Sequence, residues 1–227
     1  MACVPGGQNG TVCLEVTMRI LVSGATATVR KLASKYPDTL GVLLTPQNGN
    51  RVCSLPLPWA ADNAAFSNPD DDKFWRICVD AWNTDKYNPP MWVAVPDVVG
   101  NHAATIQLFG WWCEYWQSEI GSVPFPLAFV LQDGCVADEV PWDSIDAVFV
   151  GGSNDFKLKK SADLIAEAKQ RQKLVHIGRV NTLRRLRFAN DIGADTVDGT
   201  GFSMYPDTYI PKAMRFLQSL KKSPTLF

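Results

Sequence analysis

The chain has 227 residues, of which 46% are hydrophobic, 11% aromatic and 20% charged. These values fit one well-cored domain and exclude an extensively disordered or fibrous chain. Lysine and arginine number 22 against 23 acidic residues, a net charge of -1, which excludes a protein held on nucleic acid by bulk charge; any such contact needs a local basic patch.

Residues 1–18 read as an irregular or extended arm. They open MACVPGGQNG, with no basic stretch leading into an apolar run, so no secretory leader is expected. From there short β-rich runs recur: Arg19–Ser23, Leu40–Thr45, Trp59–Asp62, Trp92–Pro96, Leu127–Gln132, Ala147–Val150, Leu174–Ile177 and Ala194–Val197. Between most of them lie helix-length segments with apolar residues three or four apart. These are Thr28–Lys35, Lys73–Trp82, Ala103–Trp116, Ser161–Gln172, Leu183–Asp191 and, last, Ile210–Leu220. Alternating strand and helix predicts a parallel sheet. Eight strands close it into a single (β/α)8 TIM-type barrel over 19–220, with a tail at 221–227. The third run is the weakest and no clear helix separates it from the second; a doubly wound open sheet is the alternative.

The six cysteines (Cys3, Cys13, Cys53, Cys78, Cys113, Cys135) form no CxxC pair, and His102 and His176 are the only histidines. Cys53, Cys78 and Cys113 lie in or beside apolar stretches and read as reduced thiols. Neither a zinc site nor a cofactor is expected. No apolar run approaches the ~20 residues of a membrane span, and a cytoplasmic protein is expected.

Barrel enzymes keep their chemistry at the carboxyl ends of the strands, where the βα loops converge. Here those ends carry Asp62-Asn63, Asp97, Gln132-Asp133-Gly134, Gly151-Gly152, Gly178-Arg179 and Asp198-Gly199-Thr200. A carboxylate just after a strand also serves as a helix cap or an Asx turn. Four aspartates at the same end of one barrel (Asp62, Asp97, Asp133, Asp198) predict a shared mouth, with one able to act as nucleophile and another as base. The glycine pair suits close approach of backbone to a planar ligand, and suits a tight turn equally.

The same stretches resemble the tRNA-guanine transglycosylase superfamily, and more closely its phage DNA-modifying branch, which inserts 7-deazaguanines such as preQ0. They are Ala60–Phe66 (AADNAAF), Val95–Gly100 (VPDVVG), Val130–Gly134 (VLQDG), Phe149–Gly152 (FVGG), His176–Asn181 (HIGRVN) and Gly193–Thr200 (GADTVDGT). The resemblance spans roughly Leu40 to Phe202 and rests on the order and spacing of these motifs. It implies a base-exchanging pentosyltransferase with DNA and a free 7-deazaguanine as partners. In that comparison Asp198 is similar to the nucleophile on the sugar's anomeric carbon, and Asp62 to the acid/base serving the departing and incoming bases. Asp97 resembles the carboxylate reading the amine edge of the base, and Gln132 with the Gly151-Gly152 amides the groups reading its carbonyl edge. Phe66 and Ile177 resemble the two faces sandwiching the purine; core packing is the other reading of Phe66. The sequence departs from the tRNA enzymes in lacking ligands for their Cys-rich zinc subdomain, and in having Ala64-Ala65 where they carry two glycines. The first departure makes DNA the expected substrate, with RNA as the alternative.

The chemistry is coherent in its own right. A glycosidic bond breaks through an oxocarbenium-like state, which needs one carboxylate at the anomeric carbon and another for the proton. Arg179, Arg184 and Arg185 cluster after strand seven and are expected to clamp phosphate, whereas Arg187 reads as part of a solvated helix face. A tRNA-guanine transglycosylase, a DNA glycosylase or nucleoside hydrolase using water in place of a base at the same site, and a non-catalytic base-binding module are the rival functions. The paired Asp62 and Asp198 weigh against the module, since binding alone has no use for a nucleophile.

Overall fold

The structure is a computed structural model, and it describes residues 18–47, 56–67, 69–84, 87–122 and 125–222. The expected arm at 1–18 therefore falls outside the described residues except for Met18, which is buried.

Eight parallel strands close into a barrel in chain order: β1 (Arg19–Val22), β2 (Leu40–Leu44), β3 (Trp59–Ala61), β4 (Val93–Ala94), β5 (Leu127–Leu131), β6 (Ala147–Val150), β7 (Leu174–Ile177) and β8 (Thr196–Asp198). β8 closes on β1 with Ile20 opposite Val197. The open-sheet alternative is thereby set aside. Around the barrel run α1 (Ala27–Lys35), α2 (Asp71–Thr84), α3 (His102–Ile120), α4 (Ala162–Gln170), α5 (Leu183–Asp191), the short α6 (Thr200–Met204) and α7 (Pro206–Lys222). No helix among the described residues is long and apolar enough to cross a membrane.

Side chains alternate across each strand, and this period of two sorts the core into two layers. Inside the barrel lie Leu21, Leu43, Ala60, Trp92, Ala94, Ala128, Val130, Ala147 and Phe149. Alanine at four of these positions makes room for the indole of Trp92 and the ring of Phe149, whose centroids are 5.8 Å apart. Residues of the opposite parity, such as Ile20, Val22, Phe129, Leu131, Val148, Val175 and Ile177, face the helices in the larger outer core.

Helix ends follow local chemistry. Thr26, Asn101 and Thr182 cap α1, α3 and α5 by accepting from the third amide onward. α3 runs past the expected Trp116 and stops at Gly121, whose φ of 74° turns the chain out of the helix. α7 starts before the expected Ile210, at Pro206, where a missing N–H costs nothing in a first turn. It also continues to Lys222, two residues into the expected tail, and carries Pro211 within it. The least expected element is a π-helical turn, Phe156–Lys160, between β6 and α4.

Candidate active site

The carboxyl ends of the strands surround a cavity of about 530 Å³ whose lining includes Asp62, Asp97, Gln132, Gly151, Gly152 and Asp198. Strand parity explains the convergence. Asp62, Gln132 and Asp198 each stand two residues beyond an inward-facing position (Ala60, Val130, Thr196), so their side chains continue the barrel's interior column into the mouth.

Asp198 is 17% exposed and held at both oxygens. Oδ2 lies 3.0 Å from Nε2 of His176, and Oδ1 accepts from the Arg179 amide at 3.1 Å. His176 is fully buried, with its ring 4.6 Å from Trp92 and 4.4 Å from Phe149. Its Nδ1 lies 2.9 Å from the Thr196 hydroxyl. Burial alone raises a carboxyl's pKa. Around Asp198 the His176 hydrogen bond, the Arg179 amide and the Lys157 charge outweigh it and hold the group below the usual carboxylate range. Burial pushes His176 the other way, toward the neutral ring.

On the opposite wall the balance reverses. Burial, reinforced by the charges of Asp198 and Asp97, pushes Asp62 up to about 7 against one opposing hydrogen bond from the Ala64 amide. Burial likewise pushes Asp97 up to about 6, partly offset by the Gln132 amide, which donates to Asp97 Oδ2 at 2.6 Å. Gln132 is fixed in orientation because its Oε1 accepts from the Gly100 amide at 2.8 Å. Its second Nε2 hydrogen remains for a ligand. Gly151 packs tightly here: a Cβ on it would stand 2.8 Å from Gln132 Nε2 and 2.8 Å from Val130 Cγ1. The Gly151 amide is committed to Leu131 O at 3.0 Å, so it does not face a ligand; of the glycine pair only the Gly152 amide is left for that role.

Three of the four converging aspartates line the cavity, and Asp133 does not. Both its oxygens bond Ser153, which ties the turn after β6 and makes Asp133 a structural residue. Phe66 lines the cavity, is 65% exposed and is covered by the Arg179 guanidinium at 4.0 Å from its ring centroid, so it is not a core residue. Ile177 corrects an expectation. It has outward parity and is buried against the helix layer, so it cannot be a face of the sandwich; Phe149 and Gly178 line that side. The arginines divide as well. Arg179 lines the cavity and donates to Gly152 O at 2.7 Å, while Arg185 braces it by donating to Arg179 O at 3.1 Å and to Asn154 at 2.9 Å. Arg184 sits exposed on α5 and does not line the cavity.

Two residues of the site escaped the sequence reading. Lys157, on the π-helical turn, is buried and donates to Gly178 O at 3.0 Å. Burial and the neighbouring charges of Arg179 and Arg185 push it down to about 8, against the pull of Asp198 and Asp62. In sequence it looks like one of a solvated run with Lys159 and Lys160. His176 carried a usable signal: it is the one polar residue inside the apolar strand Leu-Val-His-Ile.

Among the described residues no group of three or more His, Cys, Asp or Glu side chains is placed to hold a metal ion. No protein-family model and no curated protein matches the chain.

Proposed function

We propose that the protein is a DNA-guanine transglycosylase, which exchanges guanine in DNA for a 7-deazaguanine base such as preQ0 through a covalent aspartyl-sugar intermediate. The observation that carries this reading is the opposed state of two aspartates in one cavity. Asp198 is held ionised by surrounding donors, as a nucleophile requires, and Asp62 titrates at about 7, where an acid/base can both give and take a proton. In the first displacement Asp198 bonds to the anomeric carbon as the bond to the base breaks, and Asp62 protonates the departing nitrogen. In the second, Asp62 takes the ring proton of the incoming base, whose nitrogen displaces the Asp198 carboxylate. Asp97, Gln132 and the Gly152 amide read the base edge, and Phe66 offers it an aromatic face once Arg179 moves aside. Arg179 then becomes free to meet a phosphate. The choice of DNA rests on the resemblance to the phage branch and on the lack of ligands for the zinc subdomain of the tRNA enzymes.

Incubating the protein with guanine-containing DNA and labelled guanine or preQ0, then counting label in the polymer, tests the reading. One-for-one incorporation against guanine released is the expected result. Guanine release that leaves alkali-labile sites makes the protein a glycosylase, and label entering tRNA but not DNA changes the substrate.

A further inference from the structure

The strand register places Thr196 directly beside His176, and Asp198 two residues further along the same inward column. The imidazole therefore touches both, one through each ring nitrogen. The rings of Trp92 and Phe149 pack against it, and it is fully buried. Asp198 is acceptor-only as a carboxylate, which makes Nε2 the donor; Nδ1 must then accept from the Thr196 hydroxyl. The charged groups that bear on this pair are Lys157, whose ammonium acts on both, and Asp62 across the cavity.

We propose that His176 is the positioning residue of the nucleophile: held between Thr196 and Asp198 as the Nε2–H tautomer, it aims one hydrogen bond at Asp198 and thereby sets how long the sugar–enzyme bond survives. The inference rests on the base-exchange reading for its kinetic consequence, though not for its electrostatic one. In the covalent intermediate Asp198 is an ester and carries no charge. When the incoming base attacks the anomeric carbon, the carbon–oxygen bond breaks and its electron pair returns to the carboxylate. A fixed N–H beside that oxygen favours the carboxylate over the ester by roughly tenfold or more, the scale of a charge-assisted hydrogen bond. His176 does not itself gain or lose the proton.

The test pairs His176→Phe, which keeps the ring and removes the donor, with His176→Gln, which restores an amide N–H. The first readout is the ratio of denaturant-resistant protein–DNA adduct to exchange rate, measured with guanine-containing DNA and labelled guanine. It should rise about tenfold in His176→Phe and fall back toward wild type in His176→Gln; a ratio that does not rise in His176→Phe overturns the kinetic role. The second readout is the ¹³C titration of the Asp198 carboxyl, which needs no activity. Its midpoint should move up in His176→Phe and return part-way in His176→Gln, and an unchanged midpoint overturns the positioning role. Should wild type incorporate no base at all, the transglycosylase reading fails alone, and the titration still decides whether His176 governs Asp198.

Discussion

The two walls of the cavity use the same residue type to opposite ends. On the β7–β8 wall Asp198 receives hydrogen bonds from a ring N–H and a backbone amide, with the Lys157 ammonium acting on it as well. On the β3–β4 wall Asp62 meets the charges of Asp198 and Asp97, and Asp97 that of Asp71, against side-chain or loop donors that are few: the Ala64 amide for Asp62 and the Gln132 amide for Asp97. Burial is common to both walls, so it does not explain the difference. The number of donors and the sign of neighbouring charges do. A cavity built this way keeps one carboxylate charged and the other poised to exchange its proton.

Removing each carboxylate in turn should break the comparison most sharply. Asp198→Asn is expected to abolish exchange and adduct formation, as read by label incorporation and a denaturing gel. The paired stability measurement should show opposite signs. Asp198 has a lowered pKa in the folded state, so its stabilisation is present above the unfolded value near 3.8 and is lost as pH falls. Asp62 is raised to about 7, so the folded protein binds the extra proton between about 3.8 and 7 and loses stability as pH rises through that window. Above pH 7, Asp198→Asn should therefore destabilise and Asp62→Asn stabilise, each by about 1–3 kcal/mol in urea melts. Two destabilised variants at pH 8 would mean that the walls do not differ as described.

Lys157 tests whether the charged wall depends on its cation. Lys157→Met keeps most of the buried stem and removes the ammonium. Both Asp198 and Asp62 should then titrate higher, moving both limbs of the exchange profile to higher pH, with the upper limb that Asp62 sets rising from near 7. A pH profile that does not move would make Lys157 only a strut for Gly178.

The barrel and its mouth were legible because they follow from periodicity. Each strand run, and the inward placement of Asp62, Gln132 and Asp198, can be counted off the chain two residues at a time. Ile177 was misplaced because motif resemblance says nothing about parity, and the strand Leu174–Ile177 sends His176 inward and Ile177 outward. Lys157 was out of reach for a different reason: a π-helical turn shifts which residues face the cavity, and no local pattern announced one. The Ile177 correction is testable. Ile177→Val should cost about 1 kcal/mol of stability and leave the affinity for guanine unchanged, whereas a sandwich face would lose affinity on truncation. Calorimetric titration of guanine into both proteins decides it.

The smallest expected effect concerns the turn that presents Asp62. Ala64 adopts φ 57°, a left-handed conformation, and in doing so points its amide at Asp62 Oδ1 at 3.1 Å. That conformation costs a residue with a Cβ about 1–2 kcal/mol, while glycine adopts it freely but gives up about 0.5–1 kcal/mol in chain entropy. The strain is the larger of the two. Ala64→Gly should therefore stabilise the protein by about 0.5–1 kcal/mol, which for a chain of this size raises Tm by roughly 1–3 °C. The amide that reaches Asp62 belongs to the backbone and survives the change, so the upper limb of the pH profile near 7 should stay where Asp62 puts it. A higher Tm with an unmoved profile separates the cost of the turn from the chemistry it supports. A lower Tm would show that the alanine methyl makes contacts worth more than the strain, and that the β3 wall depends on them.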